Sequence, residues 1–139
     1  MQILFRMKWP ARLENLQRFL KPLSESAKAE GFHQERIREI ELALEEALVN
    51  IFNYAYPKGA GDVEVIGGVE NDDWIIEIID SGIPFDMTSL SDPDLTAGVE
   101  ERKIGGLGIF LVRQMVDEVR YRREKDRNIL TLAIKKVKS

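Results

Sequence analysis

Apolar residues recur at intervals of three and four along two stretches of the N-terminal half, which is the spacing of one face of an α-helix. The stronger pattern predicts a helix from about Gln34 to Tyr54, followed by the helix breaker Pro57. Its apolar stripe consists of Ile37, Ile40, Leu44, Leu48 and Ile51. The other pattern predicts a helix from Ala11 to about Glu30, which Pro22 is expected to kink or to end early.

Five β-rich runs complete the pattern. They are Gln2 to Trp9, Asp62 to Val69, Trp74 to Ile79, and the runs EVRYRRE and NILTLAIKKV near the C-terminus. Gly67 and Gly68 suggest a bulge in the second run. A third helix is expected from about Gly106 to Asp117. This order of elements predicts an α/β sandwich, in which helices lie on one face of a mixed, mostly antiparallel sheet.

The connection between Asp80 and the third helix has no sustained period and carries two prolines and two glycines in SGIPFDMTSLSDPDLTAGVEERK. A connection of this length in a compact domain is usually a functional lid or a disordered segment.

Composition restricts the class of protein. With 139 residues, 44% hydrophobic and 32% charged, the chain is expected to fold as a single soluble domain over residues 1–139. The net charge of −4 argues against a nucleic-acid partner. Because there is no cysteine and only one histidine, any metal must be held by oxygen ligands. The sequence shows neither a signal peptide nor an apolar run approaching the ~18 residues of a membrane span, so a cytoplasmic protein without a membrane partner is expected.

Three clusters carry candidate chemistry, and the first is on the second helix. Glu46, Asn50 and Asn53 fall together on the side opposite the apolar stripe. Polar residues in that position ordinarily form a solvated face, and periodicity alone favours that interpretation. An acid and an amide one turn apart could instead supply a proton acceptor and a neutral oxygen ligand for Mg²⁺.

The other two clusters are DSGIPFD and GGLGIF. Asp80 ends a strand and Gly82 follows, which fits an ordinary turn but also a buried carboxylate that accepts from the exocyclic amine of a base. Gly105, Gly106 and Gly108 stand at a helix start. They fit a flexible helix entry, but also a site where backbone N–H groups and the helix dipole hold a phosphate.

In this order, the segments EEALVNIFNYAY, DSGIPFD and GGLGIFLV resemble the N, G1 and G2 boxes of the Bergerat-fold (GHKL) ATPases. The resemblance extends from about Ile37 to the C-terminus. Within that superfamily, the short length and the run GGLGIFLVRQMVDEV look like the anti-sigma-factor serine/threonine kinases that bacteria use in partner switching.

The resemblance implies a role for each matching residue. Glu46 matches the general base, which takes a proton from the attacking hydroxyl or water, and Asn50 matches the Mg²⁺ ligand. Asp80 matches the carboxylate that recognises adenine, and Gly82 its neighbour at the base. The nucleotide phosphates would be cradled by a turn of Gly105, Gly106, Leu107 and Gly108. The segment from Met87 to Ile104 matches the ATP lid.

The chain departs from the family pattern at two positions. Tyr54 stands where many relatives carry histidine. Pro84 stands where the common DxGxG pattern has its second glycine, so a stiffer loop is expected beside the base.

The resemblance implies an ATP- and Mg²⁺-dependent kinase. It would phosphorylate a serine or threonine of a small anti-sigma-antagonist protein and bind a sigma factor or another regulatory effector. The first alternative is a binding module regulated by ATP without kinase turnover. The second is an orphan catalytic domain of a sensor histidine kinase, which is disfavoured because the chain has no room for a phosphoacceptor hairpin and His33 has the context of a helix start. The oligomeric state is left open, a homodimer included.

Overall fold

The computed structural model describes residues 1–89 and 106–136. Five strands and three α-helices occur in this part of the chain. They are β1 (Gln2–Pro10), α1 (Leu16–Ala29), α2 (Gln34–Tyr54), β2 (Asp62–Glu70), β3 (Asp73–Asp80), α3 (Gly106–Met115), β4 (Glu118–Glu124) and β5 (Arg127–Lys135). Short 3₁₀ turns occupy Leu13–Asn15 and Met87–Ser89. Of the helices in the described ranges, none has the length and apolar character needed to cross a membrane.

The strands form one sheet in the order β1-β2-β3-β5-β4, and each of these pairings is antiparallel. Side chains alternate between the two faces. One face buries its apolar residues together with the helices, through Val63, Val65, Trp74, Ile76, Ile78, Leu130, Leu132 and Ile134. A small second cluster of Ile66, Ile79 and Ile129 lies on the other face. The predicted α/β sandwich is confirmed, with the difference that the described strands make a wholly antiparallel sheet rather than a mixed one.

The helix predicted from Ala11 begins later and is not ended by its proline. A 3₁₀ turn precedes α1, which then runs through Pro22. Proline inside a helix costs about 3 kcal/mol. Phe19 and Leu23, on either side of it, are fully buried in the core. Because burying one such side chain stabilises the fold by roughly 1.5–3 kcal/mol, packing on both sides offsets the broken helix hydrogen bond.

The bulge lies on the strand opposite the two glycines. Gly68 pairs with Ile3 and Gly67 with Phe5, so Leu4 is the extra residue on β1. A Cβ atom at Gly67 would lie 2.2 Å from the Phe5 ring. Gly67 therefore makes room for the Phe5 side chain of β1, and the prediction of a bulge within β2 itself is wrong.

The β4–β5 hairpin places the residues of β4 against the start of β5. Glu124 pairs with Arg127, which leaves a two-residue loop of Lys125 and Asp126 with φ of 50° and 64°. Positive φ at both central residues is the signature of a type I′ turn, whose twist matches that of the flanking strands. The two predicted runs leave Lys125, Asp126 and Arg127 between them, but Arg127 is already the first residue of β5, so the turn has two residues rather than three.

Arg36 joins α2 to the end of α3. Its guanidinium donates to the Met115 carbonyl at 2.5 Å and to Asp117 Oδ2 at 3.2 Å. The same Asp117 oxygen accepts the Lys135 N–H at 2.8 Å. Because a helix C-terminus carries unpaired carbonyls and partial negative charge, a cation there stabilises it. Arg36 thus fixes α3 against α2 and β5.

Candidate functional site

Asp80 is a buried carboxylate at the end of β3, only 4% exposed. Its Oδ1 accepts the Gly82 N–H at 2.9 Å and the Asn128 amide at 2.9 Å. Both hydrogen bonds go to Oδ1, so Oδ2 is the oxygen left for a ligand. Burial raises the pKa of Asp80, although these two hydrogen bonds and the charge of Arg123 act in the opposite direction. Asp80 is therefore a buried carboxylate that also forms a turn with Gly82, so the two interpretations hold together.

A small pocket opens beside Asp80 at this end of the sheet. Apolar side chains from four parts of the chain form most of its wall: Ile51, Ala55, Phe85, Met87 and Leu130. Asp80, Tyr121 and Asn128 supply its polar atoms. An apolar cleft with a few convergent polar groups is the usual form of a small-molecule site. The N and G1 boxes thus meet here, because α2 and the residue after it contribute Ile51 and Ala55 and β3 contributes Asp80.

Gly82 allows the loop after β3 to approach the end of α2. A Cβ atom at Gly82 would lie 2.1 Å from the Ala55 carbonyl oxygen, a backbone atom. The next residue, Ile83, donates its N–H to the same oxygen at 2.9 Å. From the other side Arg123 donates to the Gly82 carbonyl at 2.8 Å. The glycine is therefore needed for contact with the protein itself, whereas the sequence suggested room for a ligand.

Two tyrosines at the C-terminal end of α2 also hold this loop. Tyr54 stacks on Phe85, with ring centroids 5.6 Å apart and ring planes at 20°. The Tyr56 hydroxyl accepts the Ser81 N–H at 2.8 Å and donates to the Asp62 carbonyl at 2.7 Å. Tyr54 is thus a support of the pocket wall.

Asn50 is buried, with 4% of its surface exposed, and not part of a solvated face. Its Nδ2 has no hydrogen-bond partner among the described residues. A buried amide without a partner costs about 1–3 kcal/mol, which is tolerated where a ligand supplies the missing contact. Asn53, one turn further, is exposed as a solvated residue would be. Glu46 and Asn50 are one helix turn apart, as the sequence spacing predicted, but the exposure predicted for Asn50 is wrong.

Glu46 lies one turn before Asn50 and is half-buried. Burial, and then the negative charge of the neighbouring Glu45, raises the pKa of Glu46. A carboxylate with a raised pKa is a stronger proton acceptor, which is the property that a general base needs.

The glycine-rich segment is described only from Gly106, the first residue of α3. Gly105 lies outside the described residues, as does the predicted lid apart from Met87–Ser89. Within the described part, the side chain of Met87 is buried in the core and Arg113 donates to the Thr88 carbonyl. The backbone of Leu107 and Gly108 is helical, so the predicted helix start at Gly106 is confirmed.

These residues fit a nucleotide with Mg²⁺. Asp80 offers a carboxylate oxygen to an amine, the pocket offers apolar walls to a flat base, and the unpartnered Nδ2 of Asn50 offers a donor to a phosphate oxygen. An amide oxygen is a ligand that Mg²⁺ accepts. The start of α3 offers backbone donors of the kind that hold phosphate.

A family model described as a histidine kinase-like ATPase domain matches residues 9–134. The chain belongs to the histidine kinase-like ATPase domain family. Its curated relatives include the serine-protein kinase RsbW of Bacillus cereus strain AH187, which is 27% identical over 128 residues, 89% of this chain and 80% of the relative.

Two solved structures share the fold of this ATPase domain. The RsbU and RsbW domains of Rv1364c from Mycobacterium tuberculosis align with a TM-score of 0.63 at 16% identity, covering 95% of this chain and 32% of that one. The histidine kinase AdeS of Acinetobacter baumannii aligns with a TM-score of 0.53 at 14% identity, covering 97% and 70%. This chain therefore spans about a third of the solved mycobacterial chain. The family match and the curated relatives confirm the resemblance drawn from the three boxes.

Sequence reasoning missed four residues of this site in the ATPase domain, namely Asn128, Tyr121, Arg123 and Tyr56. Asn128 pairs with Asp80 across β3 and β5, and Tyr121 and Arg123 reach the site from β4. Asn128 sits in a strand whose other residues facing the helices are apolar, and that exception is the one signal that could have identified it. His33 is exposed at the N-cap of α2, as expected for a surface residue.

Proposed function

We propose that residues 1–139 act as one ATP-binding kinase domain, which phosphorylates a serine or threonine of a small antagonist protein and regulates a sigma factor or another effector in bacterial partner switching. The observation that carries this proposal is the position of Glu46, a half-buried acid with a raised pKa, on the helix that lines the Asp80 pocket. Similarity to serine-protein kinases named RsbW supports the same reaction.

Nucleotide binding begins with the base. The free Oδ2 of Asp80 accepts the exocyclic amine of adenine, while Ile51, Met87 and Leu130 bury the ring. A guanine would present a carbonyl oxygen to the same carboxylate, so GTP binds poorly. Gly105, Gly106, Leu107 and Gly108 hold the phosphates through backbone N–H groups at the start of α3. Asn50 would hold Mg²⁺, which when bound neutralises charge on the phosphates.

In the transfer step, Glu46 accepts the proton of the attacking hydroxyl. The hydroxyl oxygen then forms a bond to the γ-phosphorus as the bond to the bridging β–γ oxygen breaks, which leaves ADP and a phosphorylated acceptor. General-base catalysis of this kind contributes about 10²–10⁴-fold.

The partners follow from the same proposal. They are the antagonist that carries the acceptor residue, and a sigma factor or other effector that binds when the antagonist does not. No nucleic acid is included, because the net charge of −4 offers no basic excess to neutralise phosphates. A cytoplasmic location is a further part of the proposal.

The test is incubation of the purified chain with labelled ATP, Mg²⁺ and antagonist proteins encoded beside it. Label on a serine or threonine of an antagonist is expected, together with loss of labelling when Mg²⁺ is removed. A chain that binds ATP but labels none of these proteins would favour the binding module that responds to ATP without turnover. Label on histidine would favour the histidine-kinase alternative.

A further inference from the structure

Both the nitrogen and the oxygen of the Asn128 side-chain amide have hydrogen-bond partners inside the fold. Nδ2 donates to Asp80 Oδ1 at 2.9 Å and to the Ile83 carbonyl at 2.8 Å. Oδ1 accepts the Tyr121 hydroxyl at 2.6 Å and the Phe85 N–H at 3.3 Å. These partners fix the orientation of the amide, because a flipped amide would turn its NH₂ toward the Phe85 N–H and its oxygen toward Asp80 and the Ile83 carbonyl.

We propose that Asn128 is a positioning residue that sets purine specificity: it holds Asp80 by Oδ1 as an ionised acceptor, and the Ile83 carbonyl and the Phe85 N–H keep the amide in the orientation that does this. The proposal rests on the proposed function, in which Asp80 meets the base. Its geometric foundation is the direct pairing of Asp80 with Asn128 across β3 and β5.

The same amide builds the wall of the pocket. Ile83 and Phe85, which it binds through their backbones, belong to the loop that follows Asp80, and Phe85 lines the pocket. One buried side chain therefore couples the direction of the carboxylate to the position of the wall. Arg123 holds Gly82 of this loop separately, so the loop keeps an attachment when Asn128 is changed.

Specificity follows from the protonation of Asp80. An ionised carboxylate can only accept, so it pairs with the 6-amino group of adenine and repels the 6-oxo group of hypoxanthine. A protonated carboxyl can donate and would admit the 6-oxo group. Asn128 opposes protonation because its hydrogen bond lowers the pKa of Asp80, which burial raises.

Other groups act on the same carboxyl. Arg123, from β4, lowers its pKa. Tyr121, from β4, and Tyr56, after α2, lie close enough to interact with its charge. The charge of Asp86 interacts with Tyr121, and the charge of Asp62 interacts with Tyr56. None of these groups changes in an Asn128 variant, so a shift in pH dependence reports the change made at position 128.

The experiment compares the binding of ADP and IDP, with Mg²⁺, to the full chain between pH 5 and pH 8. Wild type should prefer ADP and lose that preference as acid protonates Asp80. Asn128→Asp keeps the volume but sets an acceptor against Asp80. In this variant, the pH at which the preference for ADP is half lost should rise by about one unit or more. The affinity for ADP at neutral pH should fall about tenfold, as expected for losing a hydrogen bond to a charged group.

Two further variants keep the test decisive. Asn128→Leu removes the amide and should shift the midpoint in the same direction. Tyr121→Phe removes one of the two hydrogen bonds to the Asn128 oxygen and so loosens the amide without turning it over. This variant should narrow the preference for ADP while the protein stays folded, so it serves if an Asn128 variant does not fold. Wild-type midpoints and ADP-to-IDP ratios in the folded variants would overturn the inference.

Asp80→Asn separates this inference from the proposed function. The side-chain amide oxygen of that variant can still accept from Gly82 and Asn128, so the fold should survive while ADP binding is lost. If Asp80→Asn loses ADP but the Asn128 variants behave as wild type, only the inference fails. Unchanged ADP binding in Asp80→Asn would overturn the nucleotide site, and the inference with it.

Discussion

Tyr54 stacks on Phe85 with ring planes at 20°, and this contact joins the last residue of α2 to the loop that walls the Asp80 pocket. A flat aromatic pair contributes about 0.5–1.5 kcal/mol beyond its buried area. The stack therefore gives Tyr54 a measurable part in shaping the pocket, although Tyr54 does not line the pocket itself.

The first prediction concerns this stack. Tyr54→Ala should weaken ADP binding about three- to tenfold, because the loop of Phe85 loses its support on α2. Tyr54→Phe keeps the ring and should bind as wild type does. Calorimetric titration of the three proteins decides it, and an alanine variant with wild-type affinity would show that the stack does not hold the pocket.

Gly82 gives the second prediction. In Gly82→Ala, the new methyl group would meet the Ala55 carbonyl at 2.1 Å, and neither backbone can give way without moving β3 or α2. We expect a loss of about 1–3 kcal/mol in the free energy of unfolding, the range for overpacking. Gly59→Ala is the matched control, because nothing lies within 4 Å of its added Cβ. Equal denaturation midpoints for the two variants would contradict the close approach.

Asn50 gives a prediction in which stability and binding move apart. Asn50→Leu replaces a buried amide, whose Nδ2 lacks a partner among the described residues, with an apolar side chain of similar size. Without nucleotide, the variant should be as stable as wild type or more stable by about 1 kcal/mol, since an unsatisfied polar group is removed. Its ADP affinity should no longer respond to Mg²⁺.

The control for Asn50 is Asn53→Leu, on the exposed part of the same helix. It should keep the Mg²⁺ response of the wild type. Thermal denaturation and titrations with and without Mg²⁺ measure both properties. An Asn50→Leu variant whose ADP binding still strengthens with Mg²⁺ would remove Asn50 from the metal site.

Periodicity predicted the regular elements well because they are long and half-buried. The bounds expected for the second helix, Gln34 to Tyr54, are those of α2. Periodicity failed to predict the structure where packing overrides the local preference of a residue. Pro22 continues a helix because the core holds both of its flanks, and Gly67 lies opposite a bulge because Phe5 of another strand fills its space. Neither cause can be read from the segment in which the residue stands.

The sequence likewise suggested some residues of the candidate site and missed others. Asp80 and Gly82 could be named as candidates because a motif places them two residues apart. The solvated face expected for Asn50 proved wrong, since a helix covered by a sheet and a second helix buries more than one stripe. Asn128 was missed because its role depends on pairing with a residue 48 positions earlier in the chain. Only the sheet register makes that relationship visible.

Glu45 gives a prediction about pH. Burial and the charge of Glu45 raise the pKa of Glu46, and a general base works only when ionised. The rate of transfer should therefore rise with pH through this raised pKa. Glu45→Gln removes the repelling charge, so ionisation of Glu46 should need less alkaline conditions and the acid limb should move to lower pH. A pH–rate profile with an unmoved acid limb would contradict this coupling.

Glu46 is proposed to take the proton from an acceptor hydroxyl on a protein substrate, and the whole kinase mechanism depends on that step. It is tested most directly by the rate of phosphate incorporation into the antagonist at saturating ATP and Mg²⁺, measured for wild type and Glu46→Gln side by side. Because glutamine keeps the size of the side chain and one acceptor oxygen, the variant should still saturate at the same ATP concentration. Its rate should fall by about 10²–10⁴-fold. A Glu46→Gln variant that transfers phosphate at the wild-type rate would contradict this role.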